Sequence, residues 1–437
     1  MPDKPGLTSH LNLNVRGLPI SATLGINERS HELIRQGRQI YKLGLGQSPF
    51  PVPEVVVNEL RVNAHQKDYL PVLGLPELRT AVADYYRRTQ GLSFAGEDVM
   101  IGPGSKELMF ILQLVYYGEL VIPTPSWVSY APQAHIIGRQ IKWLETDASN
   151  HWKVTPQNLS RLCASDPDRP RLIILNYPSN PHGYTYSNAE LEAIAEVARE
   201  FRILVLADEI YGEVNFCGDH TSIAQFYPEG TIVSSGLSKW CGAGGWRLGT
   251  FAFPPQLHWL KHAMATAASE TYTSTSAPIQ YAAIRAFQGG PEIDQYLVQS
   301  RRVLAHLSAT LVTRLHAGGF DIAPTQGGFY LFLDFEAFRP GLAAKGLVTS
   351  VELCEQLLND TGVALLPGVA FGRPLRELTV RIAFVDFDGS AALDAATALP
   401  AGHPLPADFS EKYCANCVTA IELICHWVAG LTEIPAP

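Results

Sequence analysis

The stretch Ser-Ser-Gly-Leu-Ser-Lys-Trp-Cys-Gly-Ala-Gly-Gly-Trp-Arg-Leu-Gly, residues 234–249, is the most informative part of the chain. It places Lys239 eight residues before Arg247, among small residues that let backbone approach a ligand closely. A lysine with a lowered pKa forms a Schiff base with an aldehyde, and arginine binds phosphate through a planar fork of donors. The pattern therefore suggests a ligand with an aldehyde and a phosphate, such as pyridoxal 5′-phosphate (PLP). The alternative is that Lys239 is an ordinary surface lysine.

The composition is that of an ordinary globular protein. The chain has 437 residues, 46% hydrophobic and 17% charged, with a net charge of −9 at pH 7. This length is sufficient for two domains. No basic stripe stands out, so we expect a small substrate and no nucleic acid partner. The N-terminus lacks a basic region followed by an apolar run, and no apolar run reaches ~18 residues, so we expect neither a secretory signal nor a membrane span.

The cysteine pattern indicates reduced thiols. Seven cysteines are few for this length and odd in number, which favours a cytoplasmic location over a disulfide framework. Cys414 and Cys417 form a lone Cys-x-x-Cys without a second pair. We interpret them as one face of a helix, in preference to a zinc or redox site.

Short apolar runs alternate with helical patterns through the first two thirds of the chain. The predicted strands are Val99–Ile101, Leu120–Ile122, Ile141–Leu144, Leu172–Leu175, Leu204–Ala207, Ile232–Ser234 and Thr250–Phe253. The predicted helices are about 53–65, 76–90, 106–116 and 188–201. This alternation predicts an α/β fold, with a mostly parallel sheet that is covered on both faces. Ligands of such sheets bind outside the carboxyl ends of the strands.

The two ends of the chain have a different pattern. We predict an irregular arm over residues 1–30, followed by helical spacing over 28–41. Later strands (Phe329–Phe335, Val363–Leu366, Leu378–Phe384) and helices (293–315, 349–361) predict a smaller α+β domain. We therefore divide the chain into residues 1–45, an arm and part of the small domain; 46–295, the large domain; and 296–437, the small domain with an extended tail. The tail is predicted to be helical over about 412–430.

Polar side chains follow several of the predicted strands. Asp208 ends one strand, where a buried carboxylate could hold a pyridine nitrogen protonated, and Tyr211 could donate to a ring oxygen; the alternative for Asp208 is a helix cap. Asn180 could point its amide at the same oxygen, although an ordinary Asn-Pro turn would also explain it. Trp127 could stack on a ring, with core packing as an equal alternative.

Two further segments suggest anion binding. Gly102-Pro-Gly-Ser-Lys106 follows a strand and opens a helix, whose free amides would bind phosphate well. Arg381 lies within an apolar strand, where a buried guanidinium is costly unless it is paired. A substrate carboxylate would pair with it, and an internal Asp or Glu is a fair alternative.

Taken in order, these motifs resemble the fold-type I, class I PLP-dependent aminotransferases, over roughly residues 18–395. The resemblance is carried by Tyr69 with Gly74–Arg79, Gly104–Lys106, Trp127, Asn180–Gly183, Asp208–Tyr211, Ser238–Lys239 with Gly245–Gly249, Gly327–Tyr330, Pro367–Gly368 and Arg381. It implies a ping-pong transfer of an amino group between an amino acid and a 2-oxo acid.

The resemblance also implies a role for each residue. Lys239 would form the Schiff base and shuttle the proton, with Asp208 on the pyridine nitrogen, Tyr211 and Asn180 on the phenolic oxygen and Trp127 stacked on the ring. The amides of Ser105 and Lys106, with Arg247, would hold the phosphate. Arg381 would bind the α-carboxylate, in a substrate site that includes Gly46, Trp127 and Asn180. Tyr69 would reach the phosphate of a neighbouring subunit, which implies a homodimer with shared active sites.

The chain departs from the family pattern at two positions. His182 stands where the family most often has Thr, and Gly236 stands where some members have a phosphate-binding Ser. Ser235 or Ser238 could compensate for Gly236. The tail after about residue 400 is longer than is usual in the family and carries no recognised motif.

Lys106 is the clue to the substrate. In a subgroup resembling bacterial aspartate aminotransferases, a lysine here meets the distal carboxylate of an acidic substrate, so we expect aspartate or glutamate. Alternatively, Lys106 is an exposed lysine at a helix start. The same scaffold also serves PLP-dependent C–S lyases and aminotransferases for aromatic or other neutral amino acids, and these remain alternatives.

Overall fold

The computed structural model describes residues 11–400 and 402–432. Its strands are β1 (Tyr41–Lys42), β2 (Val99–Gly102), β3 (Glu119–Thr124), β4 (Ile141–Glu145), β5 (Arg171–Asn176), β6 (Leu204–Asp208), β7 (Thr231–Gly236), β8 (Gly249–Ala252), β9 (Tyr330–Asp334), β10 (Val363–Ala364), β11 (Leu366–Pro367) and β12 (Thr379–Ala383).

The helices of the described residues are α1 (Ala22–Arg35), α2 (Glu54–Asn63), α3 (Pro76–Gln90), α4 (Ser105–Val115), α5 (Tyr130–Ile136), α6 (Pro156–Cys163), α7 (Asn188–Glu200), α8 (His258–Ser269), α9 (Ala277–Gln288), α10 (Pro291–Ala317), α11 (Arg339–Ala344), α12 (Ser350–Thr361), α13 (Gly389–Thr397), α14 (Phe409–Tyr413) and α15 (Ala415–Thr432). None of them is long and apolar enough to cross a membrane.

A seven-stranded sheet organises the larger part of the molecule, in the order β2-β8-β7-β6-β5-β3-β4. Strand β8 runs antiparallel to both of its neighbours, β2 and β7, and all other neighbouring strands of this sheet pair in parallel. In β5, Leu172 and Ile174 belong to a core with α4 and α8, whereas Ile173 and Leu175 face a core with α6 and α7. The sheet is thus mostly parallel and covered on both faces, as the apolar runs predicted.

The carboxyl ends of three central strands bring distant polar residues together. Asn176 at the end of β5 lies beside Asp208 at the end of β6, and Asp208 lies beside Ser234 in β7. Two residues after Ser234 the strand ends at Gly236, and the loop that follows carries Lys239. This edge of the sheet is where the predicted polar groups meet.

A second, three-stranded antiparallel sheet has the order β11-β12-β9. Arg381 in β12 pairs with Leu366 of β11 on one side and Phe332 of β9 on the other. Near it, the short strand β1 pairs in parallel with β10, so the chain before residue 46 joins its C-terminal part.

The N-terminal prediction is wrong in one respect. Helix α1 already begins at Ala22, inside the region that we predicted to be irregular, and it ends at Arg35 rather than near residue 41. Gly37, at φ +83°, lies just beyond the helix in the left-handed region that glycine favours. Helix α1 packs through Leu33 against Ile40 and Leu358. This contact spans the chain, so the local pattern could not reveal it. Residues 1–10 of the predicted arm lie outside the described residues.

The tail forms two helices where one was predicted, because the helical conformation is interrupted at Cys414, between α14 and α15. Helix α15 packs against α10 and α12, and Val418, Ile421 and Ile424 are buried in the main core. The packing is close enough that a Cβ on Gly318 would lie 2.4 Å from Cys425 Sγ.

Cys414 and Cys417 are both buried free thiols in this core. Burial raises the pKa of Cys414 to about 12, which makes the thiol unreactive at neutral pH. No group of metal-ligating side chains occurs within the described residues. Cys417 lies within α15, whereas Cys414 lies between α14 and α15, so the prediction of a single helix face is wrong for Cys414. Both thiols are packed in the main core.

Replacing Ile421 with Ala tests whether the tail is part of the core. Ile421 is fully buried, so we expect the substitution to lower the free energy of unfolding by about 2–4 kcal/mol. Urea unfolding curves would measure this change. The exposed His426 on the same helix provides the control, because His426→Ala should change stability by less than about 0.5 kcal/mol. Equal effects of the two substitutions would mean that the helix contributes no packing.

Candidate active site

A cavity of about 510 Å³ lies at the carboxyl ends of the large sheet. Its walls come from both sheets, from α1 and from the start of α4. It is lined by Thr23, Leu24, Leu45, Gly46, Gln47, Ser105, Lys106, Trp127, Asn176, Asn180, Asp208, Ile210, Tyr211, Ser238, Lys239, Gly244, Gly245, Arg247, Tyr330 and Arg381. Every site residue predicted from the sequence is in this set except Tyr69.

Lys239 lies in the interior of the cavity, and its amine donates a 2.7 Å hydrogen bond to the carbonyl oxygen of Gly46. Burial, together with the positive charge of Arg381, lowers the pKa of Lys239 to about 7. A large fraction of the amine is therefore neutral near physiological pH. A neutral lysine amine is a nucleophile toward an aldehyde and a base toward a carbon acid.

Asp208 lines the cavity and has one carboxylate oxygen without a hydrogen-bond donor among the described residues. Tyr130 donates a hydrogen bond to Oδ2, whereas Oδ1 is buried and has no hydrogen-bond partner within the described residues. Burial raises the pKa of Asp208 to about 6, and the Tyr130 bond opposes that rise. A buried acceptor without a donor is costly. The site is thus built for a ligand that brings an N–H group, and a positively charged one would suit it best.

Asn180 and Tyr211 also line the cavity. Oδ1 of Asn180 accepts a 3.2 Å hydrogen bond from Arg381, which orients the amide nitrogen as a donor toward a further group. The hydroxyl of Tyr211 is 2.7 Å from that of Tyr330. Burial raises the pKa of Tyr211 well above its usual value, so this phenol stays protonated and can donate.

Arg381 is a buried guanidinium without an acidic partner. It donates to the carbonyl oxygen of Gly44 and to Asn180, and its Nε has no acceptor within the described residues. Its carbon Cζ lies 4.8 Å from the ring centre of Tyr330 and 5.1 Å from that of Phe371. Since no described Asp or Glu forms an ion pair with Arg381, the alternative of an internal acidic partner is wrong. A ligand carboxylate would supply the missing charge.

The start of α4 and Arg247 form the anion-binding end of the cavity. Strand β8 passes so close that a Cβ on Gly249 would lie 2.0 Å from the amide nitrogen of Ser105. Arg247 donates 2.9 Å and 3.3 Å hydrogen bonds to the carbonyl oxygens of Gly244 and Pro103, which hold it over this helix start. Free amides and an adjacent guanidinium are the groups that bind phosphate.

The structure explains why Gly236 replaces a serine. A Cβ at this position would lie 2.6 Å from the carbonyl oxygen of Leu248 on the neighbouring strand, so only glycine fits. Of the two serines that could compensate, Ser238 lines the cavity and Ser235 is buried in β7. Ser238 is therefore the better candidate for a phosphate ligand.

His182, the other departure, lies outside the cavity lining. Its ring is buried and stacks on Tyr184 at 5.5 Å, and Nδ1 accepts a 3.3 Å hydrogen bond from the Tyr184 amide. Burial lowers the pKa of His182 to about 3, so the ring is neutral. It supports the turn that carries Asn180 without adding charge to the site.

Lys106 and Trp127 meet on the wall nearest to α4. The Lys106 amine lies 5.1 Å from the centre of the Trp127 ring, and burial together with Arg247 lowers the pKa of Lys106. This partly buried cation faces the cavity, which disagrees with the alternative of an exposed lysine at a helix start. Tyr69, by contrast, is 90% exposed and away from the cavity of its own chain.

Sequence reasoning assigned no role to several residues of the site. Tyr130 supports Asp208, Tyr330 contacts Tyr211 and Arg381, and Thr23 and Leu24 cover the cavity from α1. The only signal for Tyr130 was its position one helical turn after Trp127. Tyr330 belonged to a recognised motif, but nothing in the sequence indicated what its side chain contacts.

PLP fits the groups that are present. The unpartnered Oδ1 of Asp208 suits the protonated pyridine nitrogen, and the amine of Lys239 suits the aldehyde. The start of α4 with Arg247 suits the phosphate, and Asn180 and Tyr211 offer donors for the phenolic oxygen. The fit rests on chemistry that the chain presents in a single cavity.

A family model and two named relatives show which family this chain belongs to. The family model described as aminotransferase class I and II matches residues 38–390. The aspartate aminotransferase of Geobacillus stearothermophilus is 34% identical over 369 residues, which cover 82% of this chain and 91% of that protein. The asparagine–oxo-acid transaminase of Streptococcus mutans is 32% identical over 375 residues, covering 83% of this chain and 92% of that protein.

A solved structure also matches nearly the whole chain. An aspartate aminotransferase from Thermus thermophilus with maleate superimposes with a TM-score of 0.81 at 27% identity, covering 96% of this chain and 100% of that one. This match confirms the α/β fold class that the motifs predicted.

Proposed function

Because the chain belongs to the aminotransferase class I and II family, we propose that it binds PLP in this cavity and transfers the amino group of an acidic L-amino acid. Membership of the family confirms the predicted enzyme class, an aminotransferase of a PLP-dependent family. The observation that carries the proposal is one cavity that holds a buried amine, a carboxylate oxygen without a donor and cations for two carboxylates. Aspartate or glutamate is the proposed donor, and a 2-oxo acid the acceptor.

When bound, PLP supplies the electron sink that stabilises negative charge at the substrate α-carbon. Asp208 would hold the pyridine nitrogen protonated, because a carboxylate against that nitrogen stabilises the cationic form. Tyr211 and Asn180 would donate to the phenolic oxygen and Trp127 would pack on the ring. The amides of Ser105 and Lys106, with Arg247 and Ser238, would bind the phosphate.

Lys239 is the group that would move the proton. Its amine is held beside Gly46 and Tyr211, where the neutral form would accept the proton of the substrate α-carbon and, as the ammonium, would donate it again. Arg381 would fix the α-carboxylate, and this fixed point orients the α-hydrogen toward Lys239. Since α1 covers the cavity through Thr23 and Leu24, bound substrate would be shielded from water.

The choice of an acidic donor rests on the second cation. Arg381 accounts for the carboxylate that every amino acid carries, which leaves Lys106 for a distal carboxylate. The distal carboxylate of the substrate would compensate for part of the hydration that the Lys106 amine loses on burial. Two relatives named above are an aspartate aminotransferase and an asparagine–oxo-acid transaminase, which supports donors with four carbons.

The same site would require a second copy of the chain. Tyr69 extends from the surface with 90% of its side chain exposed, where it could reach into a neighbouring subunit. We include a homodimer with shared active sites in the proposal on this ground.

An absorbance experiment tests the activity directly. We expect the purified protein with PLP to show a band near the visible edge that bleaches with aspartate and returns with 2-oxoglutarate. A band that ignores aspartate would remove the acidic donor, and a panel of aromatic and other neutral amino acids would follow. Release of pyruvate and ammonia from a sulfur amino acid without a 2-oxo acid would indicate a C–S lyase instead.

The lowered pKa of Lys239 predicts an unusual pH dependence of its reaction with an aldehyde. Since the neutral amine is the reactive form, labelling of the apoenzyme by PLP and borohydride should rise about tenfold per pH unit below pH 7 and level off above it. Mass spectrometry of the peptide with Lys239 gives the rate. The exposed Lys142 serves as an internal control for labelling at the protein surface. A midpoint near 10 for Lys239 would contradict the role of burial.

Replacing Lys106 with Ala tests the substrate. Loss of a charged hydrogen bond should raise the KM for aspartate about 10- to 100-fold and leave the KM for alanine nearly unchanged. Steady-state kinetics with both donors measures the difference. The exposed Lys142→Ala provides the matched control. Equal increases for both donors would show that Lys106 serves the cofactor and not the distal carboxylate.

A further inference from the structure

Tyr330 touches three groups of the active site, although the roles assigned above do not use it. It stands at the start of β9 with 1% of its surface exposed. Its hydroxyl is 2.7 Å from that of Tyr211, and its ring lies 4.8 Å from the Cζ of Arg381. A Cβ on Gly46 would lie 2.0 Å from the same hydroxyl, so the backbone that accepts the Lys239 bond packs directly on it.

The two phenols share a single hydrogen bond. Burial raises the pKa of both Tyr211 and Tyr330, so each hydroxyl keeps its proton at neutral pH. Within the described residues, each hydroxyl has the other as its hydrogen-bond partner. Two protons are therefore present and only one lies between the two oxygens. The second proton is free for a third group.

The surroundings decide which hydroxyl uses that second proton. The ring of Tyr330 faces the guanidinium of Arg381, a group that donates and does not accept. Both tyrosines line the cavity, and the amine of Lys239 lies 5.5 Å from the centre of the Tyr211 ring. If the hydroxyl of Tyr211 donates its proton to a group in the cavity, the hydroxyl of Tyr330 must be the donor in the hydrogen bond between the two phenols.

We propose that Tyr330 is a positioning residue: its hydroxyl donates to Tyr211 and thereby directs the Tyr211 proton to the phenolic oxygen of the bound cofactor. The inference rests on the proposed function. A hydroxyl that accepts a hydrogen bond is polarised and becomes a stronger donor itself, so the two bonds strengthen each other. Tyr330 would in this way set how strongly the chain stabilises negative charge on that oxygen.

The neighbouring contacts hold the arrangement in place. The rings of Tyr211 and Tyr330 pack edge to face at 5.5 Å and 81°, and both are almost completely buried. Tyr330 lies in β9, and β9 pairs with β12, the strand that contains Arg381. The side chain of Tyr330 thus contacts both Tyr211, which would face the cofactor, and Arg381, which would bind the substrate carboxylate.

Tyr330→Phe tests the proposal, because it removes the hydroxyl and retains the ring over Arg381. In the holoenzyme, a weaker donation from Tyr211 destabilises the anionic oxygen, so the pH midpoint of the visible band should rise by about 0.5–1 unit. The measurement is a spectrophotometric titration of the PLP-loaded proteins. Tyr116→Phe provides the control, because it removes another hydroxyl bond, 3.3 Å to the carbonyl oxygen of Arg171, outside the cavity.

A double substitution separates a relay from simple packing. If Tyr330 acts through Tyr211, then Tyr330→Phe should produce no further shift in a Tyr211→Phe background. An unchanged midpoint in Tyr330→Phe, or shifts that add in the double variant, would overturn the inference while the wild-type band still supports the proposed function. Absence of any visible band in the wild type would instead refute the proposed function, and the inference would be refuted with it.

Discussion

Three charged side chains, Lys239, Asp208 and Arg381, lie in the interior without an ion-pair partner among the described residues, and the site is organised around this constraint. Removing a charge from water costs several kcal/mol unless another charge or a set of hydrogen bonds replaces the water. The chain meets only part of this requirement, through the carbonyl oxygens of Gly44 and Gly46 and the hydroxyl of Tyr130. The remaining requirement falls on the ligand, so the free protein is prepared for a molecule of complementary charge.

The same burial shifts the pKa values of Lys239 and Asp208 in opposite directions. Loss of water disfavours every charged form, so it lowers the pKa of Lys239 to about 7 and raises that of Asp208 to about 6. The two groups therefore titrate near the same pH although their ordinary values differ widely. A neutral amine and a carboxylate coexist in a window close to neutrality. An enzyme that must attack an aldehyde and also stabilise a cation requires this combination.

Much of the fold and of the site could be predicted from local patterns. The seven strands of the large sheet were visible as apolar runs. Asp208 and Lys239 stood in motifs at or just after strand ends, and Arg381 stood out as a charge within an apolar strand. Tyr130 could not be assigned because its partner Asp208 is 78 positions away, and Tyr330 and Tyr211 are 119 positions apart. Helix α1 was placed too late because its packing partner Leu358 lies near the other end of the chain. Residues whose role depends on contacts across the sheets leave no local signature.

Backbone packing explains why the motif residues are placed so accurately. At Gly236 and Gly249 neighbouring strands and the start of α4 approach more closely than any side chain allows, so the phosphate end is defined by main chain. The tail is fitted in the same manner: Gly318 leaves room for Cys425, and Gly341 leaves room for Leu431, whose Cβ would lie 2.8 Å from an added methyl group. Glycines at both contacts mean that α10 and α11 are adapted to α15. The tail is therefore a built part of the core, in which α15 contacts α10, α12, β1 and β10, rather than an appendage to a finished enzyme.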